Sequence, residues 1–190
     1  MIKRLCVLLL IFFCGLTVPI YADTRSAGNT LMYAVPLYAL ALTGYHLDGY
    51  GSLQLIAATG VTQLASEGLK SATKEKRPDY KSGDSKKSFP SGHAAGAFSG
   101  ATFIHRRYGL NQAIVPYMAA TFVAYSRVDA RKHYVHDVVA GAAIAGLFSY
   151  LIARPLEKKV EEEKADNVSF SIDSLYFTDK EFVVSVSLAW

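Results

Sequence analysis

Cysteine is nearly missing from this chain: the two it has, Cys6 and Cys14, both lie in the apolar N-terminal segment. No disulfide framework and no thiolate metal site is therefore open to the remainder. Phe12-Phe13 ahead of Cys14 is too bulky for a lipid-attachment box. Charge of one sign is also scarce. A formal charge of +4 and a pI near 9.0 are mildly basic, and the cations are clustered rather than laid along a helix with interleaved aromatics, so nucleic acid is excluded as the expected partner. Beyond residue 22 long Leu/Ile runs are absent, and no internal repeat is apparent.

What is present begins with MIKRLCVLLLIFFCGLTVPIYAD. Lys3 and Arg4, an apolar run from Leu5 to about Ile20, and a small residue at Ala22 form a secretory signal over residues 1–22, or an N-terminal anchor if Ile20 impedes cleavage. Both readings export the chain from Asp23 onward. Five further apolar stretches run from about Leu31 to Tyr45, Leu53 to Leu69, Ala94 to Ile104, Gln112 to Tyr125 and Val138 to Ala153, with Glu67 the single charge among them. They are short and rich in Ala, Gly, Ser and Thr, which suits close helix packing in a bilayer or in a soluble core. The expected fold is an all-α bundle of five or six helices over residues 23–155, read as membrane-embedded. A charged linker occupies 156–166. Period-two alternation on both sides of Thr178-Asp179-Lys180 predicts a β-hairpin tail at 167–190.

Spanning helices would place His105-Arg106-Arg107 and the run from Arg154 to Lys159 inside, as the positive-inside bias prefers. The segment from Lys70 to Pro90 would then lie outside with seven cations (Lys70, Lys74, Lys76, Arg77, Lys81, Lys86 and Lys87) against three acids. Such an excess on the exported side asks for a local cause, and three polar clusters supply one.

In KSATKEKRP, Lys70 and Arg77 are seven positions apart, close to two helical turns, so a helix ended by Pro78 would put both cations on one face, suited to a dianion. In Pro90-Ser91-Gly92-His93, Ser91 is placed to cap a helix whose free N–H groups form an anion site, and Gly92 allows close backbone approach. His93 sits in that first turn. In the stretch from Ser126 to Asp137, His133 and Asp137 stand at i and i+4; on a helix the carboxylate would fix the imidazole tautomer and favour its cation, presenting the other nitrogen as nucleophile or base. Taken singly, each is an ordinary cap, surface pair or solvated face. Together, at the ends of helices of one bundle, they are expected to form an anion-binding site.

The order K-x6-R-P, P-S-G-H, S-R-x5-H-x3-D resembles the three-part signature of the type 2 phosphatidic acid phosphatase superfamily, over about Leu53 to Ala153. That superfamily includes bacterial acid phosphatases and vanadium haloperoxidases. The resemblance implies a phosphatase with no metal and no other cofactor. Lys70, Arg77, Ser91, Gly92 and Arg127 would hold phosphoryl oxygens, His133 would attack phosphorus with Asp137 orienting it, and His93 would protonate the leaving oxygen and then activate water. It also implies a lipid phosphate or diphosphate as substrate, at the periplasmic side of a bacterial inner membrane. A soluble periplasmic acid phosphatase and a vanadate-dependent haloperoxidase remain open. His105 and His136 match no position of the signature.

Overall fold

A computed structural model describes residues 23–82 and 87–156 in full, and the backbone of segments 169–177 and 182–189. The expected signal or anchor at 1–22, most of the charged linker and the hairpin turn at Thr178-Asp179-Lys180 lie outside the described residues. The chain divides into two units, Met1–Leu156 and Glu157–Trp190. In the second, β1 (Ser169–Phe177) pairs antiparallel with β2 (Phe182–Ala189), with Phe177 opposite Phe182 and an irregularity between Ile172 and Ser174.

The first unit contains five helices among the described residues: α1 (Thr24–Tyr45), α2 (Gly49–Thr73), α3 (Gly92–Tyr108), α4 (Leu110–Asp129) and α5 (Val135–Ile152). Side-chain caps begin three of them. Asp23 accepts from the Arg25 amide at 3.0 Å, Asp48 from Gly51 at 2.8 Å and Ser91 from Ala94 at 3.4 Å. The turn between α3 and α4 is the single residue Gly109, at φ 97°, a left-handed conformation that glycine adopts without Cβ strain.

Helix α3 packs against all four others. Its sequence explains why: Ala94, Ala95, Gly96, Ala97, Gly100 and Ala101 are buried, and such small side chains let neighbouring backbones come near. At Gly100 a Cβ would stand 2.9 Å from the Pro36 nitrogen of α1, so only glycine fits that crossing. One apolar cluster, with Leu31, Val35, Ala97, Ala101, Ala120 and Val123, fills the half of the bundle near the start of α3. A second, around Leu42, Leu55, Phe103 and Ile104, fills the other half.

Hydroxyls share the interior with these apolar clusters, while many large apolar side chains face outward. Thr62, Ser66, Ser99, Ser126 and Ser149 are fully buried, while Leu53, Leu64, Met118 and Leu151 are 65–75% exposed. Three of the serine hydroxyls bond to the backbone, Ser149 Oγ donating to Ser99 O at 3.1 Å, Ser126 Oγ to Val123 O at 2.7 Å and Ser99 Oγ to Gly96 O at 2.8 Å, whereas the Thr62 and Ser66 hydroxyls are buried without a partner. Among the described residues, α5 alone is long and apolar enough by hydropathy to cross a membrane.

The bundle's far end is held by a buried ion pair. Asp48 accepts from Arg107 Nε at 2.7 Å and Nη2 at 2.6 Å and from Tyr108 at 2.8 Å, and Arg107 Nη1 donates to Arg154 O at 2.8 Å. The Arg107 bonds bring the Asp48 carboxyl down to about 2. Arg107, expected as a positive-inside flanking charge, is thus neutralised within the fold. Removing one partner strands the other without water, so Asp48→Ala is expected to cost about 3–5 kcal/mol. A thermal melt checks this: a lowered melting temperature, with activity per folded molecule unchanged, is the expected outcome.

Candidate active site

Up-down connectivity brings the start of α1, the end of α2, the start of α3, the end of α4 and the start of α5 to one end of the bundle. Every residue expected to bind phosphate or take part in catalysis lies there, although two of the expected local geometries are not formed.

Lys70 lies in the last turn of α2, 9% exposed, with Nζ 2.6 Å from Glu67 Oε1. A Cβ on Gly92 would be 2.8 Å from that Nζ, so the glycine leaves room for the ammonium to lie across the start of α3. Ser91 is fully buried and caps α3, and its amide donates to Asp137 O at 2.9 Å, tying the α3 N-terminus to α5.

Arg77 is not on the helix of Lys70. Helix α2 ends at Thr73 because Lys74 adopts a left-handed conformation, φ 48°, four residues before Pro78. Arg77, preceding a proline, is itself biased away from helical geometry. The return of the chain toward α3 is pinned by Ser88 N donating to Glu75 O at 3.0 Å and Thr73 Oγ1 to Phe89 O at 3.1 Å. Arg77 still acts on the site, since its charge reaches both His133 and His93, and its Nε is buried without a partner.

His133 and Asp137 also depart from the expected helix-face pair. His133 precedes α5, in the turn after α4, and Asp137 is in the first turn of α5. Asp137, with no exposed surface, gathers three donors on Oδ2: the Tyr134 amide at 2.9 Å, Ser88 Oγ at 2.5 Å and His133 Nδ1 at 3.3 Å. It thus closes the helix N-terminus and the histidine at once. Asp137 favours the charged form of His133, as expected, but it does not set the net direction. Burial, aided by the cations of Arg77 and Lys70, outweighs the carboxylate and pushes His133 from 6.5 down to about 4. At neutral pH the ring is uncharged, Nδ1–H faces Asp137, and the Nε2 lone pair is available.

Arg127 ends α4 and is 3% exposed. Its Nε donates to Ser126 Oγ at 3.1 Å, Nη1 to Asn29 Oδ1 at 2.8 Å and Nη2 to Arg25 O at 2.6 Å. A guanidinium has five N–H groups, so one on each Nη stays free for an anion. His93, at the start of α3, places Nε2 3.1 Å from the same Asn29 oxygen. The loops around the site are joined by an ion pair between Lys132 and Asp79 and by Asp79 N donating to Arg131 O at 3.2 Å.

Asn29, Ser88 and Glu75 carry no signal in the sequence. His136, which matches no signature position, has Nε2 2.9 Å from Glu75 Oε1 and stacks on Tyr134; Glu75, His136 and Asp137 bring possible metal-donor atoms within 4.8 Å of one another. His105 lies elsewhere and pairs with Tyr117 at 3.1 Å.

Lys70, Arg77 and Arg127, the start of α3 and the rings of His93 and His133 lie at the same end of the bundle, and the charges of Lys70 and Arg77 reach both rings, an arrangement suited to an anion beside a nucleophile. A model of the PAP2 superfamily matches residues 51–161. The chain is 33% identical over 140 residues to the lipid A 4'-phosphatase of Helicobacter pylori, covering 70% of each protein. It is 33% identical over 129 residues to the lipid A 1-phosphatase of Porphyromonas gingivalis, covering 62% of this chain and 28% of that protein. The crystal structure of Aquifex aeolicus LpxE shares the fold with a TM-score of 0.56 at 22% identity, over 75% of this chain and 92% of that one.

Proposed function

The chain belongs to the PAP2 superfamily and is a phosphatase, and from that premise we propose that it removes phosphate from a membrane lipid, on the exported side, through a phosphohistidine on His133. The observation that carries the mechanism is the buried His133 ring, with Nδ1 held by Asp137 Oδ2 at 3.3 Å and the charges of Arg77 and Lys70 reaching it. His133 Nε2 attacks phosphorus, the bond to the lipid oxygen breaks, and that oxygen takes a proton from His93. His93 then accepts a proton from water as the water attacks the phosphohistidine, releasing phosphate and restoring both rings. Lys70, Arg77, Arg127, the Ser91 cap and the Gly92 backbone hold the equatorial oxygens, whose charge is largest in the transition state. No metal enters these steps.

A lipid substrate is supported by the large apolar side chains on the outside of the bundle. Leucines and methionine on the outer faces of α2, α4 and α5, with hydroxyls inside, fit hydrocarbon surroundings better than water. The site at one end of the bundle would then lie at headgroup depth. Lipid A phosphates, named for two relatives, are the first substrates to try, ahead of phosphatidic acid and polyprenyl diphosphate. A phosphate-release panel of lipid and water-soluble esters, run with chelator, is expected to show turnover of a lipid phosphate unaffected by chelator. Preference for soluble esters, together with release of the protein by a carbonate wash, would replace the lipid reading with that of a soluble phosphatase.

A further inference from the structure

Asn29 belongs to the second turn of α1, ahead of the region matched by the family model, yet its side chain lies between two residues of the site. Its Oδ1 is 2.8 Å from Arg127 Nη1 and 3.1 Å from His93 Nε2. A guanidinium only donates, so the atom facing Arg127 must be the amide oxygen. A carbonyl oxygen only accepts, so the same atom requires a proton on His93 Nε2. Arg127 fixes the amide, and the amide fixes the tautomer.

The placement of Asn29 is itself tightly constrained. The first turns of α1 press against the end of α4, where a Cβ on Gly28 would lie 1.9 Å from Ser126 Oγ and 2.8 Å from Arg127 Nη2. Arg25 O accepts from Arg127 Nη2 at 2.6 Å just beside it. Asn29 therefore has little freedom to leave.

Accepting the phosphatase reading above, we propose that Asn29 is a positioning residue that keeps a proton on His93 Nε2, so that His93 exchanges its reaction proton at Nδ1. The two histidines are then anchored in complementary ways. Asp137 holds Nδ1 of His133 and leaves Nε2 to attack; Asn29 holds Nε2 of His93 and leaves Nδ1 for acid-base work. When the phosphate dianion is bound, doubly protonated His93 gives the Nδ1 proton to the leaving oxygen. Nδ1 then takes a proton from water in the second step, and the other proton stays on His93 Nε2, hydrogen-bonded to Asn29 Oδ1, throughout. A neutral amide serves this acid better than a carboxylate, which would hold the second proton too firmly. The other groups acting on the ring are Lys70 from α2, Arg77 from the segment after it, Arg127 from α4 and His133 from the turn before α5.

The test uses the full chain in detergent, comparing Asn29→Ala and Asn29→Asp with the wild type for kcat and KM across pH, with thermal melts and vanadate affinity as controls. Asn29→Ala is expected to lower kcat about tenfold to a hundredfold with KM within about threefold. Asn29→Asp retains the acceptor and adds a charge, so the kcat limb set by His93 should move to higher pH by about one unit. Wild-type kcat in Asn29→Ala, or an active Asn29→Asp with an unmoved profile, overturns the proposal. Nitrogen-15 NMR of histidine-labelled protein, assigned with His93→Gln, is read independently of turnover and of whether Asn29→Ala folds. Protonated Nε2 on His93 at neutral pH is expected, and an Nδ1–H tautomer there overturns the assignment. An inactive wild type that nonetheless has the Nε2–H tautomer would refute the phosphatase mechanism instead.

Discussion

His133→Ala is expected to lower phosphate release at least about a thousandfold while vanadate still binds, because the substitution removes the attacking atom and leaves the cationic cradle. Lys70, Arg77 and Arg127 do not bond to the His133 side chain, and its backbone amide, 3.3 Å from Arg127 O, survives the change. The same variant carries a second signature, in stability. His133 is pushed from 6.5 to about 4 in the folded chain, so the unfolded chain takes up the proton first as pH falls. Wild-type stability should therefore decline through that window, from about 6.5 down to about 4, and the alanine variant should decline less. Full activity in His133→Ala, or an unchanged acid slope in its denaturation curve, would contradict the placement of this ring.

Asp137→Asn is the second large effect. Oδ2 accepts from the Tyr134 amide, Ser88 Oγ and His133 Nδ1, so the carboxylate both starts α5 and fixes the nucleophile's tautomer. An amide presents either its oxygen to these donors or an NH2 group that faces donors with a donor. In the first case the charge that stabilises the developing imidazolium-like nucleophile is lost; in the second the tautomer is lost as well. The expected decrease in kcat is about a thousandfold or more, by analogy with replacing the buried aspartate of a serine-protease triad. Ser88→Ala, which removes one donor and leaves the carboxylate, should decrease kcat far less, and the comparison separates orientation by Asp137 from general damage to the α5 N-terminus. Equal losses in the two variants would point to the latter.

How much of this was legible in the sequence depends on the range over which each interaction acts. The Ala/Gly pattern from Ala94 onward marks a helix that others can approach closely, and α3 is the central one. The cap at Ser91 is a local matter of side chain and following amides, and it forms as read. The Lys70/Arg77 pair failed as a helix face because a spacing rule assumes continuous helix. Lys74 turns left-handed first, and the chain must leave α2 to return through Phe89 to α3. His133 and Asp137 were paired correctly by spacing but through a helix start rather than a helix flank. Asp137 acts on His133 in the direction its spacing implied, but burial, which spacing does not reveal, sets the net shift.

Long-range partners were not legible at all. Asp48 and Arg107 are separated by 59 positions, and Asn29 and Arg127 by 98. Neither asparagine nor an isolated aspartate in a turn differs in sequence from a surface residue until the helices are stacked. For Asn29, the closest sequence hint was the small pair Ala27-Gly28 beside it, which proves to be the close contact between α1 and α4.

The central claim is a phosphate carried covalently on His133, and rapid acid-free quenching with radiolabelled lipid phosphate tests it most directly. The account predicts a label on the wild-type chain that withstands alkali and is lost in acid, that maps to His133, that is absent from His133→Ala, and that persists longer in His93→Ala if that variant still forms it. Turnover without any trapped label at single-turnover times, or a label mapping to another residue, would contradict it.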